Sequence, residues 1–153
     1  MDLILDIVSI LAFIMTLITW IYNFLNRRIN AEIEIKDFAK HWDVVQLYLY
    51  IQNNSSSPFT ISGVSVISNS DKHPCESLPK IIRTRNDEVV IRTPYFPVNF
   101  SAHQGQCLAL EFLHCPDIEL APGKTVELEI YTNRKILRKS LTAPQPDRIL
   151  HLR

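Results

Sequence analysis

Apolar side chains follow two different patterns along the chain, and the pattern changes near residue 28. From Ile7 to Leu25 no residue is charged, and a helix of about 19 residues covers about 28 Å, close to the thickness of a bilayer's hydrocarbon core. The leader carries Asp2 and Asp6 instead of the basic residues that begin a signal peptide, and Trp20 lies where a membrane interface would favour an aromatic side chain. The pattern predicts a transmembrane anchor over residues 1–28, rather than a cleaved signal peptide or a buried core helix.

Two arginines, Arg27 and Arg28, follow the apolar run directly, and no Lys or Arg precedes it. Basic residues beside a membrane helix tend to stay on the cytoplasmic side. The sequence therefore predicts a single-pass membrane protein whose C-terminal domain is cytoplasmic.

Small and polar residues recur within the apolar run at alternating spacings of three and four, which places them on one face of the helix. They are Ser9, Ala12, Thr16, Thr19, Asn23 and Asn26. Large apolar residues on the other faces suit lipid, whereas small side chains let a second helix approach and form hydrogen bonds. We call this face the helix seam, and it predicts that the anchor self-associates into a homo-oligomer.

After residue 28 the pattern becomes alternating, which is typical of strands with one buried face. Strands are predicted at Ala31–Phe38, Val44–Gln52, Phe59–Ile67, Lys80–Thr84, Glu88–Thr93, Gln106–Leu113, Thr125–Thr132 and Ile136–Thr142. Ser68–Pro79 has the composition of a long loop. The prolines of Pro94–Phe100 restrict that segment to a sheet edge or a crossover.

About eight short strands separated by turn signals favour an Ig-like β-sandwich, with a small barrel as the alternative. The sequence thus predicts a mainly β chain. A single N-terminal transmembrane helix is followed by an antiparallel Ig-like β-sandwich over residues 29–142 and a C-terminal tail over residues 143–153.

Charge and glycine content exclude several functions. Lys plus Arg equals Asp plus Glu at 16 each, so the chain lacks the basic footprint of a nucleic-acid-binding protein. Its 3 glycines form neither a dinucleotide fingerprint nor a phosphate loop. The 3 cysteines are odd in number and irregularly spaced, which favours reduced thiols in the cytosol over a disulfide framework.

Cysteine and histidine supply the main candidate chemistry. His73 and Cys75 form one cluster, His114 and Cys115 form another, and together they could provide a tetrahedral metal site. Their spacing matches no standard zinc motif, and Cys107 is expected to be a small core residue. We therefore expect no metal, no cofactor and no catalytic residue, and the alternative is a metal-binding or catalytic domain that uses those four residues.

Charged residues on the predicted strands suggest two further surfaces. Glu127 and Glu129 are spaced by two and are expected to share a solvated strand face. Basic residues on two predicted hairpins would form a lipid-binding patch if the hairpins are neighbours, and otherwise would protect sheet edges. These residues are Arg83, Arg85, Arg92, Arg134, Lys135, Arg138 and Lys139.

Three segments carry a resemblance to a known class of proteins. They are the anchor with Arg27 and Arg28, the strand-turn-strand LYLYIQNNSSSPFTISGVSV, and the closing IELAPGKTVELEIYTNRK. With these segments the chain resembles uncharacterised bacterial single-pass membrane proteins that have an N-terminal transmembrane helix and a small Ig-like β domain. The resemblance implies a binding or scaffolding role, often on mobile genetic elements, and brings no family active site.

The function predicted from the sequence is that of a membrane-anchored, non-enzymatic binding or scaffolding protein. Its expected partners are the lipid bilayer, a second copy of the helix and an unknown protein, and nucleic acid is not among them. Besides the metal-binding or catalytic domain, a sensor component of a phage exclusion or defence system is the other alternative.

Overall fold

The segment Asp6–Phe24 of the N-terminal helix is not buried in the β domain. The computed structural model describes residues 2–26, 28–85 and 88–145, and helix α1 spans Asp2–Asn26. Its segment Asp6–Phe24 is 19 residues long with a mean hydropathy of 2.0. Among the described residues this one helix has the length and composition of a membrane span, and a signal sequence has the same properties. Arg27 lies outside the described residues.

The rest of the described chain forms ten strands. They are β1 (Ala31–His41), β2 (Val44–Asn53), β3 (Phe59–Ser68), β4 (Asp71–Pro74), β5 (Ile81–Arg85), β6 (Glu88–Arg92), β7 (Val98–Phe100), β8 (Gly105–Phe112), β9 (Thr125–Thr132) and β10 (Ile136–Thr142). The predicted fold class, a mainly β chain of antiparallel sheets behind one N-terminal helix, is confirmed.

The strands form three sheets, and every pairing is antiparallel. Sheet A has the order β1-β2-β8, and sheet B has the order β10-β9-β3-β4 with β7 also paired to β3. Since β9 occupies one edge of β3, β4 and β7 share the other edge, β7 near the start of β3 and β4 near its end. Strands β5 and β6 form a separate hairpin.

The core lies between sheets A and B and follows the predicted alternation. On β2 the four fully buried apolar side chains are Val45, Leu47, Leu49 and Ile51. On sheet B, Phe59 of β3 and Phe100 of β7 stack with their ring centroids 5.2 Å apart. Burial of such apolar surface, at about 25 cal/mol per Å², is the main force that holds the two sheets together.

The prediction of a long loop over Ser68–Pro79 is wrong, because β4 lies within it. Asn69 and Ser70 have φ values of 48° and 75°, and Ser68 pairs with Asp71 across them. Two consecutive positive φ values make a tight hairpin turn whose twist matches that of the strands. The chain therefore turns back on β3 at once instead of leaving the sheet.

The edge position predicted for Pro94–Phe100 is confirmed. Its last three residues form β7, which pairs with the outer edge of β3 and buries Phe100 completely. Asn86 and Asp87, between the predicted strands Lys80–Thr84 and Glu88–Thr93, lie outside the described residues, as does the predicted tail from Pro146 onward.

Candidate binding cleft at the open edge of β8

Strand register gives the β domain two distinguishable ends. Strand β1 begins at Ala31, a few residues after helix α1, so the end that contains Ala31 is the helix end. Strand β2 finishes there and β8 starts there, because Asn53 lies opposite Ala31 and Gly105 lies opposite Gln52. The far end contains the turn after β1, where Trp42 is 94% exposed with a φ of 53°.

Strand β8 is an edge strand of sheet A, and its backbone shows which groups are free. The Asn53 amide donates to the Gln104 carbonyl at 2.9 Å on the side that faces β2. Backbone groups of successive residues alternate between the two sides of an antiparallel strand, so those of Cys107, Ala109 and Glu111 point away from β2. The Glu111 carbonyl accordingly accepts a hydrogen bond from the Glu76 amide at 2.8 Å, at the edge of β8 that faces away from β2. We call this edge the outer edge of β8.

A cleft of about 540 Å³ lies along the outer edge of β8. Residues 106–109 of β8 form one wall, and Pro79 with residues 92–95 and 97–99 form the opposite wall, which includes part of β7. No strand in the described part of the chain pairs with the outer edge of β8 between Gly105 and Leu110. The cleft is therefore a gap between the edges of the two sheets.

Polar and aromatic side chains line the cleft. Tyr95 is 71% exposed, and both Arg92 and the Cys107 thiol are exposed. Arg92 makes no ion pair with any residue that the structure describes. Thr93 is buried, and its hydroxyl accepts a hydrogen bond from the Lys80 amide at 2.7 Å, which fixes the wall in place.

An ion pair between the exposed Lys80 and the buried Glu111 joins that wall to sheet A. The Glu111 side chain lies on the face of sheet A that is turned away from the core, yet it is only 3% exposed. Its carboxylate binds the Lys80 ammonium group and accepts a hydrogen bond from the Gln46 amide at 2.8 Å. The hydrogen bond to Glu111 raises the pKa of Lys80, so this lysine stays charged and its charge is already balanced.

The structure separates the cysteine and histidine residues of the two predicted clusters. His73 and Cys75 fall opposite Val66 and Val64 of β3, so both lie on the core-facing side at the end of β4. Cys115 is fully buried at the far end, whereas His114 is exposed with its Nδ1 3.7 Å from the Asp43 carboxylate. Within residues 2–26, 28–85 and 88–145, no three His, Cys, Asp or Glu side chains are grouped so that they could hold a metal.

Burial raises the pKa of both the Cys75 and Cys115 thiols, which keeps them protonated. The expectation that Cys107 lies in the core is wrong. It is on the outer face of β8 opposite Tyr50, because the alternating Leu108 and Leu110 take the core positions. Cys107 is thus the most accessible of the three free thiols.

The solvated face expected for Glu127 and Glu129 is half wrong, since Glu127 is exposed but Glu129 is fully buried. Lys72 from β4 and Arg138 from β10 reach over Glu129, with nitrogen to oxygen distances of 2.7 and 2.9 Å. The Tyr131 hydroxyl donates to the same carboxylate at 2.6 Å. These contacts, led by Lys72, lower the pKa of Glu129 to about 2. Glu129 is therefore a structural anion on the outer face of sheet B.

The basic groups predicted to form one patch lie on different sheets. Arg92 belongs to the β5–β6 hairpin and the cleft, whereas Arg138 is engaged with Glu129. Arg134, in the turn after β9, donates to the Pro58 carbonyl at 2.8 Å. The side chains of Arg83 and Arg85 lie outside the described ones.

The helix seam is exposed along its described length. Thr16 donates to the Ala12 carbonyl and Thr19 to the Met15 carbonyl, each at 2.8 Å, so both hydroxyls are satisfied within their own helix. The Asn26 side chain lies outside the described ones, and the Arg28 guanidinium group stands 5.5 Å from the centre of the Phe24 ring. Self-association through the seam stays a prediction.

The fold and the cleft together define a small antiparallel β-sandwich with an open strand edge. The chain is similar to the apo PCuAC domain from PmoF1, with a TM-score of 0.52 and 14% identity over 78% of this chain and 98% of that chain. It is also similar to the apo PmoF2 PCuAC domain, with a TM-score of 0.50 and 13% identity over 78% and 94% of the two chains. At these identities the likeness shows the fold alone. No protein-family model matches the sequence, and no curated protein matches it.

Proposed function

We propose that the protein is a membrane-anchored, non-enzymatic binding protein that holds a protein partner in the cleft beside β8. The observation that carries this proposal is the cleft itself, a space of about 540 Å³ along the unpaired edge of β8. Tyr95 and Arg92, which line it, are of the residue types that contribute most to protein binding.

The length of the apolar segment in helix α1 supports the predicted membrane anchor. The segment Asp6–Phe24 suits the hydrocarbon core of a bilayer, and Arg28 at its end suits the cytoplasmic surface. The free thiol state of the cysteines fits a cytoplasmic position of the β domain. The same anchored binding role would serve a sensor in a phage exclusion or defence system, which gene deletion followed by phage challenge would test.

The chemistry of the ionisable groups supports a role in binding rather than catalysis. A nucleophilic thiol needs a lowered pKa and an adjacent base, whereas burial raises the pKa of Cys75 and Cys115. The buried carboxylates Glu111 and Glu129 are both held in ion pairs. The pKa of Glu129, lowered to about 2, keeps that carboxylate ionised near neutral pH.

Photocrosslinking tests the position of the binding surface. The full chain carries p-benzoylphenylalanine in place of Tyr95 in the cleft, and the matched control carries it in place of Trp42 at the far end. Both positions are highly exposed. In native membranes we expect a discrete light-dependent protein adduct from position 95. Adducts of the same mass and yield from position 42, or none from position 95, would refute binding at the cleft.

The helix seam supports a second, independent contact between copies of the anchor. Since Thr16 and Thr19 bond their own helix, we attribute the association to close packing along the seam and to the Asn23 amide. Replacing Ser9, Thr16 and Asn23 together by Leu should abolish the signal in a membrane two-hybrid assay. Replacing Ile10, Leu17 and Phe24 by Ala on the other faces is the control, and an equal loss there would contradict the seam.

Metal binding through His73 and Cys75 is the second candidate function, because both residues lie on the same side at the end of β4. Imidazole and thiolate are suitable ligands for copper or zinc, although the raised pKa of Cys75 disfavours the thiolate. Metal analysis of the full chain after equilibration with copper or zinc would test it. A bound equivalent that Cys75→Ser removes and Cys107→Ser retains would establish this site.

A further inference from the structure

We propose that the occupant of the cleft is an extended polypeptide segment that adds to the free edge of β8 as a further strand and places an acidic side chain beside Arg92. This inference rests on the proposed function, because it names the partner's conformation and charge at the same cleft.

The backbone of β8 offers the hydrogen bonds that such a strand needs. The amide and carbonyl groups of Cys107 and Ala109 point away from β2, into the side occupied by the cleft. Residues two apart in a strand repeat about every 6.8 Å, which is the spacing at which a neighbouring strand presents its own free groups. An unpaired edge of this kind is a ready template for an added strand.

The protein already uses this edge a short distance away. Beyond Ala109, the Glu111 carbonyl accepts a hydrogen bond from the Glu76 amide, and Cys75 and Phe112 form an antiparallel bridge. The outer edge of β8 is thus geometrically able to accept a strand. Near the end of β8, residues 75–76 of the same chain already occupy that edge. The part from Gln106 to Ala109 is open and, at about 3.4 Å per residue, has room for about four extended residues.

The wall opposite β8 is poorly suited to form backbone hydrogen bonds with β8 itself. Pro79, Pro94 and Pro97 line the cleft, and none of them has a backbone amide hydrogen. This wall can contact apolar side chains but has few donors with which to close the gap. The arrangement leaves the free groups of β8 to a strand that comes from outside.

The positive charge of Arg92 in the cleft indicates that one side chain of the added strand is acidic. Arg92 is the exposed cation in the cleft lining, and no described acidic group pairs with it. Lys80, which is close by, is already bound to Glu111. A carboxylate on the incoming strand would form a charge-assisted and potentially bidentate contact with the Arg92 guanidinium group.

A display experiment on the full chain in lipid nanodiscs tests the proposal. The probe is a phage library of random ten-residue peptides, selected on the wild type and counter-selected on empty nanodiscs. We expect enriched peptides to combine an alternating apolar pattern with one Asp or Glu at a fixed position. If no peptide is enriched, or if the enriched peptides lack an acidic residue, strand addition with an acidic contact is wrong.

Two substitutions at one position separate strand addition from side-chain binding. Cys107→Pro removes the backbone amide hydrogen that points away from β2 and also replaces the thiol side chain with a ring, whereas Cys107→Val replaces the side chain and keeps that amide hydrogen. Circular dichroism would verify that both variants fold. We expect Cys107→Val to bind the enriched peptides as the wild type does and Cys107→Pro to bind them about tenfold more weakly, which corresponds to about 1.4 kcal/mol.

Arg92→Glu should reverse the charge preference, so that Lys replaces Asp or Glu in the enriched peptides. Equal binding to the Cys107→Pro and Cys107→Val variants would overturn strand addition. The photocrosslink from position 95 is a separate measurement, so a positive crosslink together with equal binding would leave the proposed function intact and reject this inference alone.

Discussion

The buried side chain of Asn53 gives the sharpest test of how the start of β8 is held. Asn53 is fully buried at the helix end of the sandwich. Its amide group donates to the Ser57 and Ser101 carbonyls, both at 2.9 Å, and its oxygen accepts hydrogen bonds from the amide and hydroxyl of Ser55. This side chain therefore connects the loop after β2 to the turn before β8.

Replacing Asn53 by Ala removes four hydrogen bonds. At about 1 kcal/mol net for each bond, the free energy of unfolding should fall by about 4 kcal/mol, a large part of the total stability of an ordinary domain. Asn53→Asp keeps the acceptor oxygen but turns a second carboxylate oxygen towards two carbonyl groups, so we expect a loss at least as large at neutral pH. The control is Asn54→Ala, because Asn54 is exposed and its side chain makes one long contact of 3.4 Å with Glu32.

Urea unfolding of the full chain in a non-ionic detergent, followed by circular dichroism in the β region, measures these differences. We expect Asn54→Ala to change the free energy of unfolding by less than about 0.5 kcal/mol. If Asn53→Ala lies within about 1 kcal/mol of the wild type, then the four hydrogen bonds do not hold the start of β8.

Three further predictions follow from the described contacts. Because ion pairs lower the pKa of Glu129 to about 2, its contribution to stability should be complete above its ordinary pKa of 4.5 and should be lost as the pH falls from there towards 2. Thermal unfolding against pH should show this slope, Glu129→Gln should flatten it, and Glu127→Gln on the same strand should leave it unchanged. A membrane-impermeant maleimide should label mainly Cys107 and should do so from the cytoplasmic side alone; labelling on intact cells would overturn the predicted orientation. Gly105→Ala should destabilise the domain by about 1 kcal/mol, because its added methyl group would overlap the Tyr50 ring and hydroxyl. If that overlap is the cause, unfolding measurements should show that Gly105→Ala costs less stability in a Tyr50→Ala background than in the wild type.

Alternation was sufficient to predict the buried faces of the strands. Alternation along the predicted strand Val44–Gln52 puts Val45, Leu47, Leu49 and Ile51 on one face, and all four are fully buried. The same rule applied to Leu108 and Leu110 puts Cys107 on the outer face, whereas the usual tendency of free cysteine to be buried favours the core. The signal was therefore present in the sequence and was outweighed by residue type.

Other features depend on contacts between segments that are distant in sequence. The burial of Glu129 requires Lys72 and Arg138, which β4 and β10 bring to it from opposite directions along the chain. The cleft is bounded by edges of two different sheets, so periodicity within any one strand cannot reveal it. Composition also concealed β4, because the polar Asn69-Ser70 pair is typical of loops and of tight hairpin turns alike.

The short connection between α1 and β1 has a consequence for how a partner would reach the cleft. Helix α1 ends at Asn26 and β1 begins at Ala31, so at about 3.4 Å per residue the tether extends at most about 17 Å. Once the helix is inserted, the helix end of the sandwich and the open part of β8 remain within a thin layer beside the bilayer. A partner held in the same membrane would then search in two dimensions at a high effective concentration, so that even a weak contact over four residues could be well populated without a high affinity in solution.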